Sequence, residues 1–121
     1  MRREIQDRAM AYAIRSVKLY QHLQRKREGA AWVLGKQYLR AATSIGANLV
    51  EAESGESRRD FIHKCSIAQK EARECTYWLT LLLKAGLASE AQLAGLIDET
   101  NQLTAILTRI IVNAKKALKP Q

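Results

Sequence analysis

A chain of 121 residues, 47% hydrophobic and 26% charged, has enough apolar surface for one folded domain and too little length for two separate cores. One proline and six glycines are too few turn formers for a small β-sandwich or barrel, and the longest uncharged run, residues 41–50, is short of the roughly 18 needed to cross a bilayer. The formal net charge of +8 favours polyanionic partners and names no reaction.

From residue 4 to about 27, Ile5, Ala9, Ala13, Val17, Tyr20 and Leu23 recur at the three-and-four spacing of an amphipathic helix. Glu28-Gly29 interrupts it. A second helix is predicted over 30–53, with Leu34, Tyr38, Ala41, Ile45, Leu49 and Ala52 on one face. Ser57 then suits an N-cap, because its hydroxyl can accept from an unpaired amide, and Asp60 suits the positive end of a third helix over 58–85. The seam of that helix is Phe61, Cys65, Ala68, Ala72, Cys75, Leu79 and Leu82, a strict four-three alternation that fits left-handed bundle packing. Gly86 supplies the stop. Ser89 and Gln92 have the spacing of a capping box, and a fourth helix over 90–119 carries Leu93, Leu96, Thr100, Leu103, Leu107, Ile110, Ala114 and Ala117. Short connections between long helices imply an all-α, antiparallel, up-down-up-down four-helix bundle forming a single domain over 1–121.

Cys65 and Cys75 sit about 15 Å apart along one helix, beyond disulfide reach, and are read as reduced buried thiols. Charge follows Met1-Arg2-Arg3-Glu4 where a secretory signal would be apolar, so no membrane association and a cytoplasmic location are expected.

The second helix is unusually apolar. Between Tyr38 and Val50 the single charge is Arg40, while Leu39 and Val50 stand off the seam and Trp32 and Val33 enlarge the apolar area. The third helix carries a second row, Ile67, Trp78 and Leu81, beside its seam. Scattered surface hydrophobes are ordinary, but a contiguous patch of this extent marks an interface. Trp32, Val33, Leu39, Val50, Ile67, Trp78 and Leu81 are therefore expected to meet other copies of the chain.

Gln37, Arg40, Ser44, Asn48 and Glu51 line one face of the second helix. In a hairpin turning near residues 54–57, Gln37 and Arg40 stand opposite Glu71 and Glu74, and Asn48 and Glu51 opposite His63 and Asp60. An Arg40 ion pair with Glu71 or Glu74 is expected. Asp60-x-x-His63 could place two metal ligands on one face, but a di-iron bundle needs two Glu-x-x-His motifs plus two further glutamates. A structural polar network that fixes helix register is the better account, with no metal and no cofactor. His22 lies in a basic stretch without a visible partner. No nucleophile elbow, phosphate-cradling glycine loop, zinc spacing or dinucleotide fingerprint occurs, so no enzyme is expected.

The run Leu34 to Glu51, with Gln37, Arg40, Ala41, Ser44, Ile45, Asn48 and Glu51 in the pattern Q-x-x-R-A-x-x-S-I-x-x-N-x-x-E, continues through Phe61, Ile67, Ala68 and Glu74. This resembles the four-helix-bundle family of proteins encoded in intervening sequences of bacterial 23S ribosomal RNA genes. Gly46 stands where many members have proline, and Val50 and Ala52 depart from a usual Ala-Glu-Gly ending. The resemblance implies a homopentameric ring of bundles. It also implies a distant relation to accessory proteins of diversity-generating retroelements, which bind nucleic acid and a reverse transcriptase.

Five copies at +8 each carry +40, a charge density that favours phosphate binding by counterion release. The preferred contacts are Arg25, Lys26 and Arg27 at the end of the first helix with Lys36 and Lys84, opposed only by Glu28 and Glu90. A second basic group, Arg2, Arg3, Arg58, Arg59, Lys115, Lys116 and Lys119, faces six carboxylates and has a weaker net field. Tyr77 is the nearest candidate for an exposed stacking aromatic and lies elsewhere. The expected function is non-catalytic RNA or DNA binding through phosphates, as an adaptor to a protein such as a reverse transcriptase. The alternative is a protein-interaction scaffold that involves no nucleic acid.

Overall fold

The computed structural model describes residues 2–118, and these form four helices: α1 (Arg2–Arg25), α2 (Gly29–Glu53), α3 (Arg58–Lys84) and α4 (Glu90–Leu118). No strand occurs among the described residues. The end of the helix expected to reach Lys119 lies outside them. α2 packs on α3, α3 on α4, α1 on α2 and, more sparsely, α1 on α4, which sets α1 and α3 on opposite corners.

The helix ends follow from their capping chemistry. The Asp60 amide donates to the Ser57 hydroxyl at 3.1 Å, which occupies a donor that helix geometry leaves unpaired. Gly86, at φ 73°, ends α3: its amide donates to the Leu83 carbonyl, and the Leu87 amide reaches back to Leu82 at 3.0 Å. That is a Schellman closure, in which the left-handed residue must avoid a Cβ clash. At the start of α4, the Ser89 amide donates to the Gln92 side chain and the Gln92 amide to the Ser89 hydroxyl, both within 3.2 Å. The α1–α2 turn is different. α1 ends at Arg25 where the pattern suggested Arg27, and Arg27 itself takes the left-handed conformation at φ 55°.

The core of α3 is the expected seam, buried from Phe61 to Leu82. In α1 the pattern is corrected. Val17 is exposed and Ala13 and Tyr20 are half-buried, whereas Ile5, Ala9, Tyr12, Ser16, Leu19 and Leu23 face inward. Two apolar rows compete on this helix. The buried one contains a serine, which is why hydropathy alone selects the other. In α4, Ile111 is buried in place of Ile110, and Ala117 is exposed.

Ser16 is tolerated inside because it belongs to a chain of hydroxyls. Ser16 Oγ lies 2.8 Å from Tyr38 Oη, Tyr38 Oη donates to Tyr12 Oη at 2.8 Å, and Tyr12 Oη lies 2.6 Å from Thr100 Oγ1. Thr100 donates to the Leu96 carbonyl at 2.6 Å. Each hydroxyl has one proton, so the chain runs in one direction, from Ser16 through Tyr38, Tyr12 and Thr100 to the carbonyl. Ser16 shares its proton with the Tyr12 carbonyl at 2.9 Å. All four side chains are fully buried, and bonds aligned in this way polarise and strengthen one another. Burial raises the pKa of both tyrosines, and it pushes the neighbouring Cys75 thiol up to about 12.

Candidate functional site

The basic end is built by two turns held together. Arg25, Lys26, Arg27, Lys36 and Lys84 are all exposed. Lys26 Nζ donates to the Leu87 carbonyl at 3.1 Å, so the α1–α2 turn is tied to the turn that follows Lys84. Lys36 stands apart, two turns into α2. His22, for which the sequence offers no visible partner, has one: its Nε2 lies 2.6 Å from the Gln92 side-chain nitrogen, next to the α4 cap.

The polar stripe of α2 divides into separate groups of bonds. Arg40 donates to Glu71 at 3.1 Å and also pairs with Glu74, while Trp78 Nε1 donates to the same Glu74 carboxylate at 2.9 Å. Glu71 is 8% exposed, so Arg40 neutralises a carboxylate that burial would otherwise penalise. Asn48 bonds to Ser44, within its own helix. Glu51 accepts from Lys64 at 2.9 Å, where the hairpin spacing had suggested His63 and Asp60; that partner raises the Lys64 pKa. Among the described residues no hydrogen bond joins Gln37, His63 or the Asp60 side chain to these groups. Nor does any cluster of three or more His, Cys, Asp or Glu there have a placement suited to a metal ion.

A link that the sequence pattern missed joins α1 to α4. Arg8 grips Glu99 with two bonds, of 3.0 and 2.6 Å, and adds one to Gln102. The forked geometry, with Glu99 hydrogen-bonded and paired, raises the Arg8 pKa.

The apolar surface is also redistributed. Trp32, Val33 and Val50 are exposed, but Leu39, Ile67, Trp78 and Leu81 are half-buried within the bundle. The missed members are Val112 on α4 and Met10, Ile14 and Val17 on α1, the last three exposed at four-and-three spacing. That spacing was the available signal. Met10 and Val50, with Ala13, Thr43, Gly46 and Ala47, line a largely apolar groove of about 450 Å³ between α1 and α2. No helix among the described residues is long and apolar enough to cross a membrane.

Residues 2–109, which include the hairpin with its Arg40 pairing, match the family described as 23S rRNA-intervening sequence protein. The chain belongs to this family. A crystal structure of a protein of unknown function from the S23 ribosomal protein family of Bacteroides thetaiotaomicron is similar at 40% identity and a TM-score of 0.83. The similarity covers 88% of this chain and 97% of that one. No curated protein matches the chain. For this member of the 23S rRNA-intervening sequence protein family, the fold therefore has a close experimental counterpart, and function must be argued from surfaces.

Proposed function

We propose that the chain is a non-catalytic, basic, homo-oligomeric nucleic-acid-binding protein that contacts RNA or DNA mainly through phosphates and acts as an adaptor to a nucleic-acid enzyme such as a reverse transcriptase. The observation that carries this reading is the exposed cation group Arg25, Lys26, Arg27 and Lys84, gathered at one end by the Lys26–Leu87 bond. Such a group attracts phosphates by releasing their condensed counterions, without reading bases.

The protomer is an antiparallel up-down-up-down bundle. Support comes from the α2–α3 pairs, since Arg40 meets Glu71 while the later Glu51 meets the earlier Lys64. Copies associate, in a pentameric ring, through the face that bears Met10, Ile14, Trp32, Val33 and Val50, which a monomer would leave in water. Sedimentation at micromolar concentration should give a species several times the 13.6 kDa chain mass, and Met10→Lys with Val50→Lys should convert it to the monomer. A 13.6 kDa wild-type species would refute the assembly.

Salt tests the binding. Affinity for an RNA or DNA fragment should fall by roughly a thousandfold between 50 and 200 mM salt if about six phosphates are contacted. Replacing Arg25, Lys26 and Arg27 by alanine should flatten the slope of log affinity against log salt by roughly 2 to 3. A salt-independent affinity, or no binding at all, would reject the proposal in favour of a protein scaffold.

A further inference from the structure

The outer face of α3 has an arrangement that its core-facing seam conceals. Arg59, His63, Lys70, Arg73, Tyr77 and Lys84 are all exposed, and with Ser66 and Thr80 they follow at alternating steps of four and three residues. That spacing keeps them on one face, opposite the seam of Phe61, Cys65, Ala72 and Leu79. The stripe is roughly 38 Å long at 1.5 Å per residue.

No carboxylate lies on it. The three acids of α3 are Asp60, Glu71 and Glu74, all off the stripe, and the last two are engaged by Arg40 from α2. Nor is the neighbouring helix acidic where it borders the stripe's start. Arg59, His63 and Ser66 share a groove of about 430 Å³ with Lys115 of α4, floored by Ile62 and Leu118, and no lining residue is acidic. At its other end the stripe finishes on Lys84, three residues before the carbonyl that Lys26 holds. The basic end group is thus continuous with a cationic track along α3.

Tyr77 makes the track more than a charged surface. The residue is 62% exposed. Trp78 packs edge-on against it, with centroids 5.1 Å apart and an interplanar angle of 76°, and Trp78 is anchored to Glu74, which is anchored to Arg40. An exposed aromatic that packs on one side against an anchored neighbour and is flanked by Arg73 and Lys70 can stack an unpaired base. A duplex keeps its bases stacked internally and could use only the cations.

We infer that the acid-free outer face of α3 binds single-stranded nucleic acid, with Arg59, Lys70, Arg73 and Lys84 on phosphates spaced along one strand and Tyr77 stacked against a base. This rests on the proposed phosphate-binding function and assigns it a strand type and a path. RNA and DNA share the required chemistry.

The test is fluorescence anisotropy with a labelled oligonucleotide of about 12 residues, as RNA, as DNA of the same sequence and as the DNA duplex, all at one fixed low salt concentration. Tyr77→Ala should weaken binding of at least one single strand by roughly tenfold or more, Tyr77→Phe should retain it, and duplex binding should be unchanged by either. Lys70→Ala with Arg73→Ala should weaken all binding at that salt and, in a parallel series from 50 to 200 mM salt, reduce the slope of log affinity against log salt by roughly 1 to 2. Circular dichroism of these solvent-face variants should match the wild type. If wild type binds single strands but Tyr77→Ala and the Lys70/Arg73 variant bind equally well, the α3 assignment fails while the phosphate-binding function stands. If wild type binds no oligonucleotide, or if polyglutamate competes as well as RNA, both fall and an acidic protein partner takes their place.

Discussion

Raising the pH from 8 to 11 is expected to cost the fold roughly 5–6 kcal/mol, enough to unfold a domain of ordinary stability. The cause lies in the buried layer around Tyr12, Tyr38 and Cys75. Burial raises all three pKa values, the thiol to about 12 and both phenols above their ordinary range. In the unfolded chain the thiol ionises near about 8.5 and the phenols near about 10. The folded state therefore holds protons that the unfolded state gives up, and the stability these groups contribute is complete below pH 8 and lost as pH rises. At pH 11 the thiol accounts for about 3 kcal/mol of the loss and the two phenols together for about as much. Lysine deprotonation over the upper part of this range relieves the net positive repulsion and acts in the opposite direction, while loss of the exposed Lys64–Glu51 pair adds only a little to the fall. Urea midpoints at pH 8, 9.5 and 11 measure the effect, and Tyr12→Phe with Tyr38→Phe should remove much of the slope above pH 10. A midpoint that stays constant from pH 8 to 11 would contradict the buried, protonated layer.

The second large effect concerns Tyr38. Truncation to alanine should cost about 3–5 kcal/mol, because it opens a cavity where a fully buried ring had been. Tyr38→Phe keeps the ring and removes one oxygen, yet it should still cost about 1–3 kcal/mol. That hydroxyl donates to Tyr12 and lies 2.8 Å from Ser16 Oγ, so its loss breaks the chain in the middle and leaves Tyr12 without a donor. Denaturant midpoints at pH 7 and one fixed protein concentration provide the measurement, since association would otherwise shift them. A Tyr38→Phe protein as stable as wild type would mean that the hydroxyl chain adds nothing to stability.

How far the sequence disclosed this molecule depended on the range over which each interaction acts. The α3 seam, the Ser57 cap, the Gly86 stop and the Ser89–Gln92 box involve neighbours in sequence, and local rules fix them. Arg40 with Glu71 and Glu74 joins adjacent helices across one short turn, so counting outward from that turn brings them together. The same count set Glu51 opposite Asp60, and the observed partner Lys64 lies one helical turn further along α3, because side chains on a helix lean toward its start and Lys64 is long enough to reach. Arg8 with Glu99, His22 with Gln92 and the Tyr12–Thr100 bond join the first helix to the fourth, or to the turn before it, and no local spacing announces such pairs. The α1 register was obscured for a chemical reason. Ser16 looks like a surface residue until Tyr38 is known to lie beside it.

The cation track on α3 was hidden for a related reason: Tyr77 and the basic residues look scattered until the helix is viewed from outside the bundle.

The hydroxyl relay from Ser16 to the Leu96 carbonyl has a consequence for alignment. Leucine and alanine contacts are forgiving, and a helix advanced by one turn would find other leucines and alanines to touch. It would not find the matching oxygen, and a phenol or alcohol would be left stranded among hydrocarbon. The polar layer therefore works as a key among interchangeable greasy teeth, admitting one setting of the first, second and fourth helices and penalising its neighbours.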